Sequence, residues 1–327
     1  MTRFVVYGAG GIGGVLGARL HQSGHDVRLI ARSAHFEAIR DTGLRLQSAE
    51  EDVVLDIPVV NHPSGIDWRD DDVVFFAMKS QHMLDALVTL ARLAPPSVNV
   101  VSLQNGVVNE PTALRFFADV YGVCVMCPTN HLEPGIVQAY SAPVTGIFDI
   151  GRYPDGVDDA ARFISDAFSR STYVSEPRED IMRWKYGKLL MNLGNGIDAL
   201  CGPAAFGTDL YRIVRDEGVA TLRAAGIPFV DSDEDRARRG DIMTMRPISG
   251  QRRGGGSTWQ SLARGLDSVE TDYLNGEIVA IGRRHGIPTP ANELMQRVTV
   301  QAARDGIRAG SVSPEELLET LRASVVV

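Results

Sequence analysis

A chain of 327 residues with 44% hydrophobic and 23% charged side chains exceeds what one core organises and is too apolar to stay disordered, so two compact domains are expected. A formal net charge of −8, with no basic run interleaved with aromatics, argues against a nucleic-acid partner. The longest apolar runs, such as residues 73–78, fall far short of the ~20 residues that span a bilayer, so no membrane partner is expected.

The N-terminus, MTRFVVYGAGGIGG, enters a strand at once without a charged leader or cleavage site, which predicts a cytoplasmic location. To about residue 176 short β-branched runs alternate with helical patterns, the signature of βαβ units on a parallel sheet. Strands are predicted at 4–7, 26–30, 72–78, 99–104 and 121–126, with a helix over 80–93 among the connections. Residues 135–151 alternate around Ala142-Pro143 and read as antiparallel strands added at the sheet's edge. The three cysteines, Cys124, Cys127 and Cys201, cannot form an even-numbered disulfide framework. Cys124-x-x-Cys127 lies in the apolar run YGVCVMCP with no second ligand pair, so buried structural thiols are expected and no metal site.

After Pro177 the pattern becomes helical, over 178–200, 208–225, 270–285 and 291–308. Residues 252–257, Arg-Arg-Gly-Gly-Gly-Ser, lack periodicity and are expected to form a flexible loop. The fold class is α/β: a Rossmann-type doubly wound sheet over residues 1–176, then an all-helical domain over 177–327.

Gly8-Ala9-Gly10-Gly11-Ile12-Gly13 follows a strand and opens a helix, the context in which G-x-G-x-x-G binds a dinucleotide. The helix N-terminus would face the pyrophosphate. Where an NAD-specific chain presents an acid after its second strand, this one has Arg32, whose planar fork suits a 2′-phosphate, so NADPH is expected over NADH. Lys79 and Asn105 each follow a predicted strand at the carboxyl edge of the sheet, where ligands of open α/β sheets bind. On the helix over 178–200, Lys188, Asn192 and Asn195 fall on one face at 100° per residue. Two asparagines beside a lysine on a largely apolar helix need partners if buried, and a ligand would provide them.

These residues resemble the ketopantoate reductases (2-dehydropantoate 2-reductases). The likeness runs over the glycine motif, Arg32, Lys79-Ser80-Gln81, Gln104-Asn105-Gly106, residues 184–195, Ser257 and Glu270-Thr271-Asp272-Tyr273-Leu274-Asn275-Gly276. The resemblance implies that Lys188 is the general acid and that Asn192, with Asn195 and Asn105, binds substrate. It places Lys79 and Asn105 beside the nicotinamide, and has Ser257 and Glu270 complete the substrate and cofactor pocket. The implied reaction is NADPH-dependent reduction of a 2-oxo acid, ketopantoate first, with Lys188 giving a proton to the developing alkoxide. Lys185 stands as the next candidate acid; helical domains of this kind often pair, which leaves a homodimer through the helical domain open.

The chain departs from the family pattern in places. Asn195 lies seven residues after Lys188 where the usual motif has eight, the Ser257 to Glu270 interval is one longer, and Thr258-Trp259-Gln260-Ser261 replaces the common run. The same residues therefore leave open another 2-oxo acid, a hydroxy-acid dehydrogenase, or a non-catalytic NADP(H)-binding sensor.

Overall fold

The computed structural model describes residues 2–325. In chain order the elements are β1 (Arg3–Tyr7), α1 (Gly11–Gln22), β2 (Asp26–Ile30), α2 (Ser33–Thr42), β3 (Leu44–Gln47), β4 (Asp52–Leu55), β5 (Val59–Val60), β6 (Val73–Phe76), α3 (Met83–Leu93), β7 (Asn99–Ser102), α4 (Asn109–Ala113) and β8 (Val120–Met126). There follow β9 (Thr129–Asn130), β10 (Ile136–Ala139), β11 (Gly146–Arg152), α5 (Asp159–Arg170), β12 (Tyr173–Val174), α6 (Ile181–Asn192), α7 (Asn195–Cys201) and α8 (Asp209–Ala224). The chain ends with α9 (Ser232–Arg239), α10 (Ser257–Ala263), α11 (Asn275–His285), α12 (Pro290–Arg304) and α13 (Pro314–Val325).

Two compact units emerge. The first comprises residues 1–104, 108–185 and 232–253, and the second residues 105–107, 186–231 and 254–327.

The first unit is built on an eight-stranded sheet in the order β12-β11-β8-β7-β6-β1-β2-β5. All its neighbours run parallel except β11, which is antiparallel to β8. This is the expected Rossmann-type winding, and the strand order reverses between β1 and β6, the switch point at which such sheets bind ligands. Side chains alternate across the pleat, so Phe4 and Val6 enter one core while Val5 and Tyr7 enter another. Burial on both faces explains the near-continuous apolar runs of the central strands.

The expectation for residues 135–151 is corrected. β11 does pair antiparallel with β8, but β12 lies outside it. β10 belongs instead to a separate four-stranded sheet, β4-β3-β10-β9, where it runs parallel to β3. The separation is a matter of long-range pairing: residues 44–47 capture residues 136–138 across some ninety positions of chain, which no local pattern displays.

The first unit also holds a segment from the helical half. Residues 232–253 return to it because Asp149, buried in β11, accepts from both Arg178 and Arg238, the latter at 2.7 and 2.8 Å. Backbone bonds from Arg246 N–H to the Tyr140 carbonyl (2.8 Å) and from Ala142 N–H to the Thr244 carbonyl (3.2 Å) continue the attachment. The grouping is more interleaved than a single change at residue 176/177; charged α9 has no buried residue, and its Glu234 and Arg238 are ion-paired with Arg183 and Asp149 of the same unit.

Asp158 caps α5 through the Ala161 amide (2.8 Å) while accepting from Arg152 (2.7 Å) and the Tyr121 hydroxyl (2.9 Å). Burial pushes its carboxyl up, but these donors outweigh it and hold the acid below the usual carboxylate value of 3.8. Asp158→Ala is expected to cost about 0.5–2 kcal/mol by denaturant unfolding near neutral pH. Because the folded acid is the stronger one, this difference is complete above the unfolded value and shrinks as the pH falls through the lower folded value. A difference that grew on acidification would remove this role.

In the second unit α8, α11 and α12 pack together, and α7 packs on α10 and α12. The helix expected over 178–200 is corrected to two, α6 and α7, broken at Leu193-Gly194. The break has a tertiary cause: Asn275 Nδ2 donates to the Leu193 carbonyl at 3.1 Å, and any side chain at Gly194 would overlap the Tyr211 ring. At Gly254-Gly255-Gly256 the chain lies against its neighbours. A Cβ at Gly254 or Gly255 would run into Trp259, and the Gly256 amide donates to Asp198 Oδ2 at 3.0 Å.

Candidate active site

In the first unit the candidate residues start where β1 turns into α1. Gly8 has φ +105°, and a Cβ there would sit 2.7 Å from the Met78 amide nitrogen, so only glycine lets this turn lie against the exit of β6. A Cβ at Gly13 would overlap the Gly8 carbonyl and lie 2.8 Å from Ala77, which accounts for glycine where α1 meets the sheet. Gly10 differs: its nearest neighbour would be His131 Cδ2 at 3.9 Å, so the backbone there borders open space. Gly10 is the N-cap of α1 and no side chain caps that end. The uncapped first turn, Gly11 and half-buried Ile12 included, thus offers amides and the positive end of the helix dipole to an anion. A dinucleotide pyrophosphate fits this cradle.

Arg32 stands at the carboxyl end of β2 as the exposed N-cap of α2. Burial holds the Tyr7 phenol above its ordinary pKa, while the Arg32 guanidinium pulls it down. Lys79 is half-buried and leads into a turn of 3-10 helix after β6, where Ser80 Oγ accepts from Asn109 Nδ2 at 3.1 Å. Lys185 is 3% exposed and ion-paired with fully buried Glu110, and its Nζ donates to the Gln104 carbonyl at 3.1 Å. A lysine so occupied holds structure together and is not available as the alternative proton donor.

The second unit carries the remaining candidates. Lys188 and Asn192 lie one turn apart on α6 and share a face; Lys188 is half-buried and Asn192 only 7% exposed. Asn192 Nδ2 is buried with no hydrogen-bond partner among the described residues, a cost that a ligand oxygen would relieve. Asn195 does not share their helix. It opens α7, with its Oδ1 3.8 Å from where a Cβ of Gly256 would stand, so the fold places it beside the start of α10 at Ser257. Asn105 precedes Gly106, whose φ of +80° sets it 2.8 Å, Cβ position to oxygen, from the Tyr273 carbonyl. That contact seats the Asn105 turn on the short 3-10 helix Glu270–Tyr273, in which Glu270 is buried. Asn275 links this helix to the end of α6 and donates also to Asn292 Oδ1 at 3.0 Å.

Cys124 and Cys127 are not joined in a disulfide; their thiols donate to the Trp184 carbonyl at 3.8 Å and the Thr145 carbonyl at 3.5 Å. Among the described residues no group of three or more His, Cys, Asp or Glu is placed to hold a metal ion. No helix of the described residues is long and apolar enough to cross a membrane.

Residues 4–154 match the family described as ketopantoate reductase PanE/ApbA, and residues 180–302 match its C-terminal domain. The chain belongs to the ketopantoate reductase family. It is 26% identical to the 2-dehydropantoate 2-reductase of Pyrococcus abyssi over 301 residues, 90% of this chain and 95% of that one. It is 28% identical to that of Archaeoglobus fulgidus, covering 90% and 96%. Among solved structures, a PanE/ApbA family ketopantoate reductase from Ralstonia eutropha superposes with a TM-score of 0.78 at 28% identity, over 93% of this chain and 99% of that one. A D-mandelate dehydrogenase crystallised with NADH and anilino(oxo)acetate shares the fold at a TM-score of 0.78 and 23% identity, over 93% and 98%. As a family member this ketopantoate reductase homologue is an oxidoreductase acting on CH–OH groups. Its substrate is a small molecule, and its glycine turn fits the nicotinamide dinucleotide that such chemistry uses.

Two histidines beside the glycine turn, His35 and His131, have no counterpart in the motifs. His35 falls one turn after Arg32 and His131 beyond β9. The only local signal was a histidine in the first turn of the helix that Arg32 opens.

Proposed function

We propose that this chain reduces a 2-oxo acid to the 2-hydroxy acid with NADPH, and that 2-dehydropantoate is its substrate. The observation that carries the reading is the buried Asn192 Nδ2, one turn from Lys188 and with no hydrogen-bond partner among the described residues, in a chain whose relatives over nine-tenths of its length are named 2-dehydropantoate 2-reductases. When bound, NADPH supplies the hydride that reaches the carbonyl carbon.

The protein's own residues do the rest. Lys188 gives a proton to the carbonyl oxygen as charge develops on it, avoiding a free alkoxide. Asn192 donates to a substrate oxygen without competing for that proton, and Asn195, Ser257 and Asn105 orient the carboxylate and hydroxyl groups. Glu270 would accept a hydrogen bond from a substrate hydroxyl, and Lys79 and Glu270 would help hold the cofactor. Arg32 takes the 2′-phosphate. The location consistent with this metabolism is the cytoplasm.

The test is a screen of 2-oxo acids, 2-dehydropantoate among them, followed by loss of NADPH absorbance. Turnover with 2-dehydropantoate at a kcat/KM above that for unbranched oxo acids is expected; no turnover with any would remove the reading. For the cofactor, Arg32→Ala is expected to weaken NADPH by about 10- to 100-fold, the worth of a charge-assisted bond, and to leave NADH unchanged. Equal affinities of the native protein for NADPH and NADH would take this role from Arg32.

A further inference from the structure

We infer that His35 is a positioning residue for the dinucleotide: it sets the Ala9–Gly10 peptide, and through it the glycine turn, in the shape that receives the pyrophosphate. The inference rests on the NADPH reading above.

His35 lies in the first turn of α2. Its Nε2 is 2.7 Å from the Ala9 carbonyl oxygen, and its Nδ1 is 2.9 Å from the Gly135 amide nitrogen. A carbonyl can only accept and an amide N–H can only donate, so the proton sits on Nε2 and Nδ1 presents its lone pair. The ring is neutral and its tautomer is set by its two neighbours. One side chain thereby joins three separate segments: the β1–α1 turn, the start of α2 next to Arg32, and the turn before β10. Gly135 can reach the ring because it has φ +77° and rests on α2, its Cβ position 3.0 Å from Ala38 Cβ.

The consequence for the anion cradle follows from peptide geometry. Ala9 C=O and Gly10 N–H share one planar trans unit and point in opposite directions. Drawing the Ala9 oxygen toward His35 therefore turns the Gly10 N–H away from it, at the N-cap of α1. Ala9 is 2% exposed, so water cannot easily replace His35 as partner for that carbonyl. His131 supports the arrangement: its ring centroid lies 4.1 Å from that of His35, its Nδ1 donates to the Ile136 carbonyl at 3.1 Å, and its Cδ2 edge borders the space at Gly10.

Two conservative variants separate the bonds. His35→Gln sets an amide near the place of Nε2 and can still donate to Ala9, whereas His35→Asn keeps only an acceptor near Nδ1. Titration should show NADPH weakened about tenfold in His35→Asn, about the net worth of one hydrogen bond, and within about threefold of native in His35→Gln. NADH should weaken by the same factor, because the pyrophosphate is common to both, and KM for NADPH should rise with kcat retained. Thermal unfolding of both variants is the control for folding. Native NADPH affinity in His35→Asn, or equal weakening in both variants, would overturn the role of His35. Failure of the native protein to bind NADPH would instead overturn the cofactor reading on which it rests.

Discussion

Lys188→Ala is expected to lower kcat by about 10²- to 10⁴-fold, the usual contribution of a positioned proton donor, while NADPH affinity and thermal stability stay near native values. Lys188 is half-buried on α6 with Asn192 one turn on, so truncation leaves the helix and its apolar face intact. Alanine is also the stronger helix former. The decisive comparison is steady-state kinetics beside cofactor titration. A loss confined to kcat marks an interaction made in the transition state, whereas an equal rise in KM for the oxo acid with native kcat would mark Lys188 as a binding residue only. A fully active variant would end its role as the acid.

The opposite failure is expected one turn earlier. Lys185→Ala should cost about 3–5 kcal/mol of stability, because it leaves the Glu110 carboxylate buried without its counter-charge. Glu110 is wholly inaccessible and its Oε2 already lacks a partner among the described residues, so it has no route to solvation. Denaturant unfolding measures the loss. Replacing both residues, Lys185→Met with Glu110→Leu, should recover most of it, since removing a buried pair together is far less costly than stranding one member. A single variant as stable as the native protein would take this structural role from Lys185. The two lysines thus separate cleanly: one variant should fold and not turn over, the other should struggle to fold.

Residues whose roles follow from chain-local geometry could be named from the sequence. The glycine turn is such a case, because Gly8, Gly10 and Gly13 act within one strand–turn–helix unit whose spacing is written in consecutive residues. The doubly wound sheet is another, since burial of β1 and β6 on both faces leaves apolar runs that cannot be mistaken for surface strands. Lys188 and Asn192 share a helix face by the 3.6-residue period alone.

Asn195 shows where that reasoning stops. Helical phase extrapolated through Gly194 places it with Lys188, yet the Asn275 amide and the Tyr211 ring, from 82 and 17 positions along the chain, end the helix first and send Asn195 to the start of α10. Lys185 and Lys188 look alike in sequence and are told apart only by Glu110, 75 residues distant. His35 has no motif at all and acquires a role only when the Gly135 amide, 100 residues on, meets its second ring nitrogen. Residues 232–253 join the first unit through Asp149, a carboxylate 89 residues from Arg238. Periodicity and turn chemistry act over a few residues and were legible from composition and spacing. Partner choice among buried charges, amides and carbonyls depends on which distant groups are desolvated together, and that is decided only when the chain has packed.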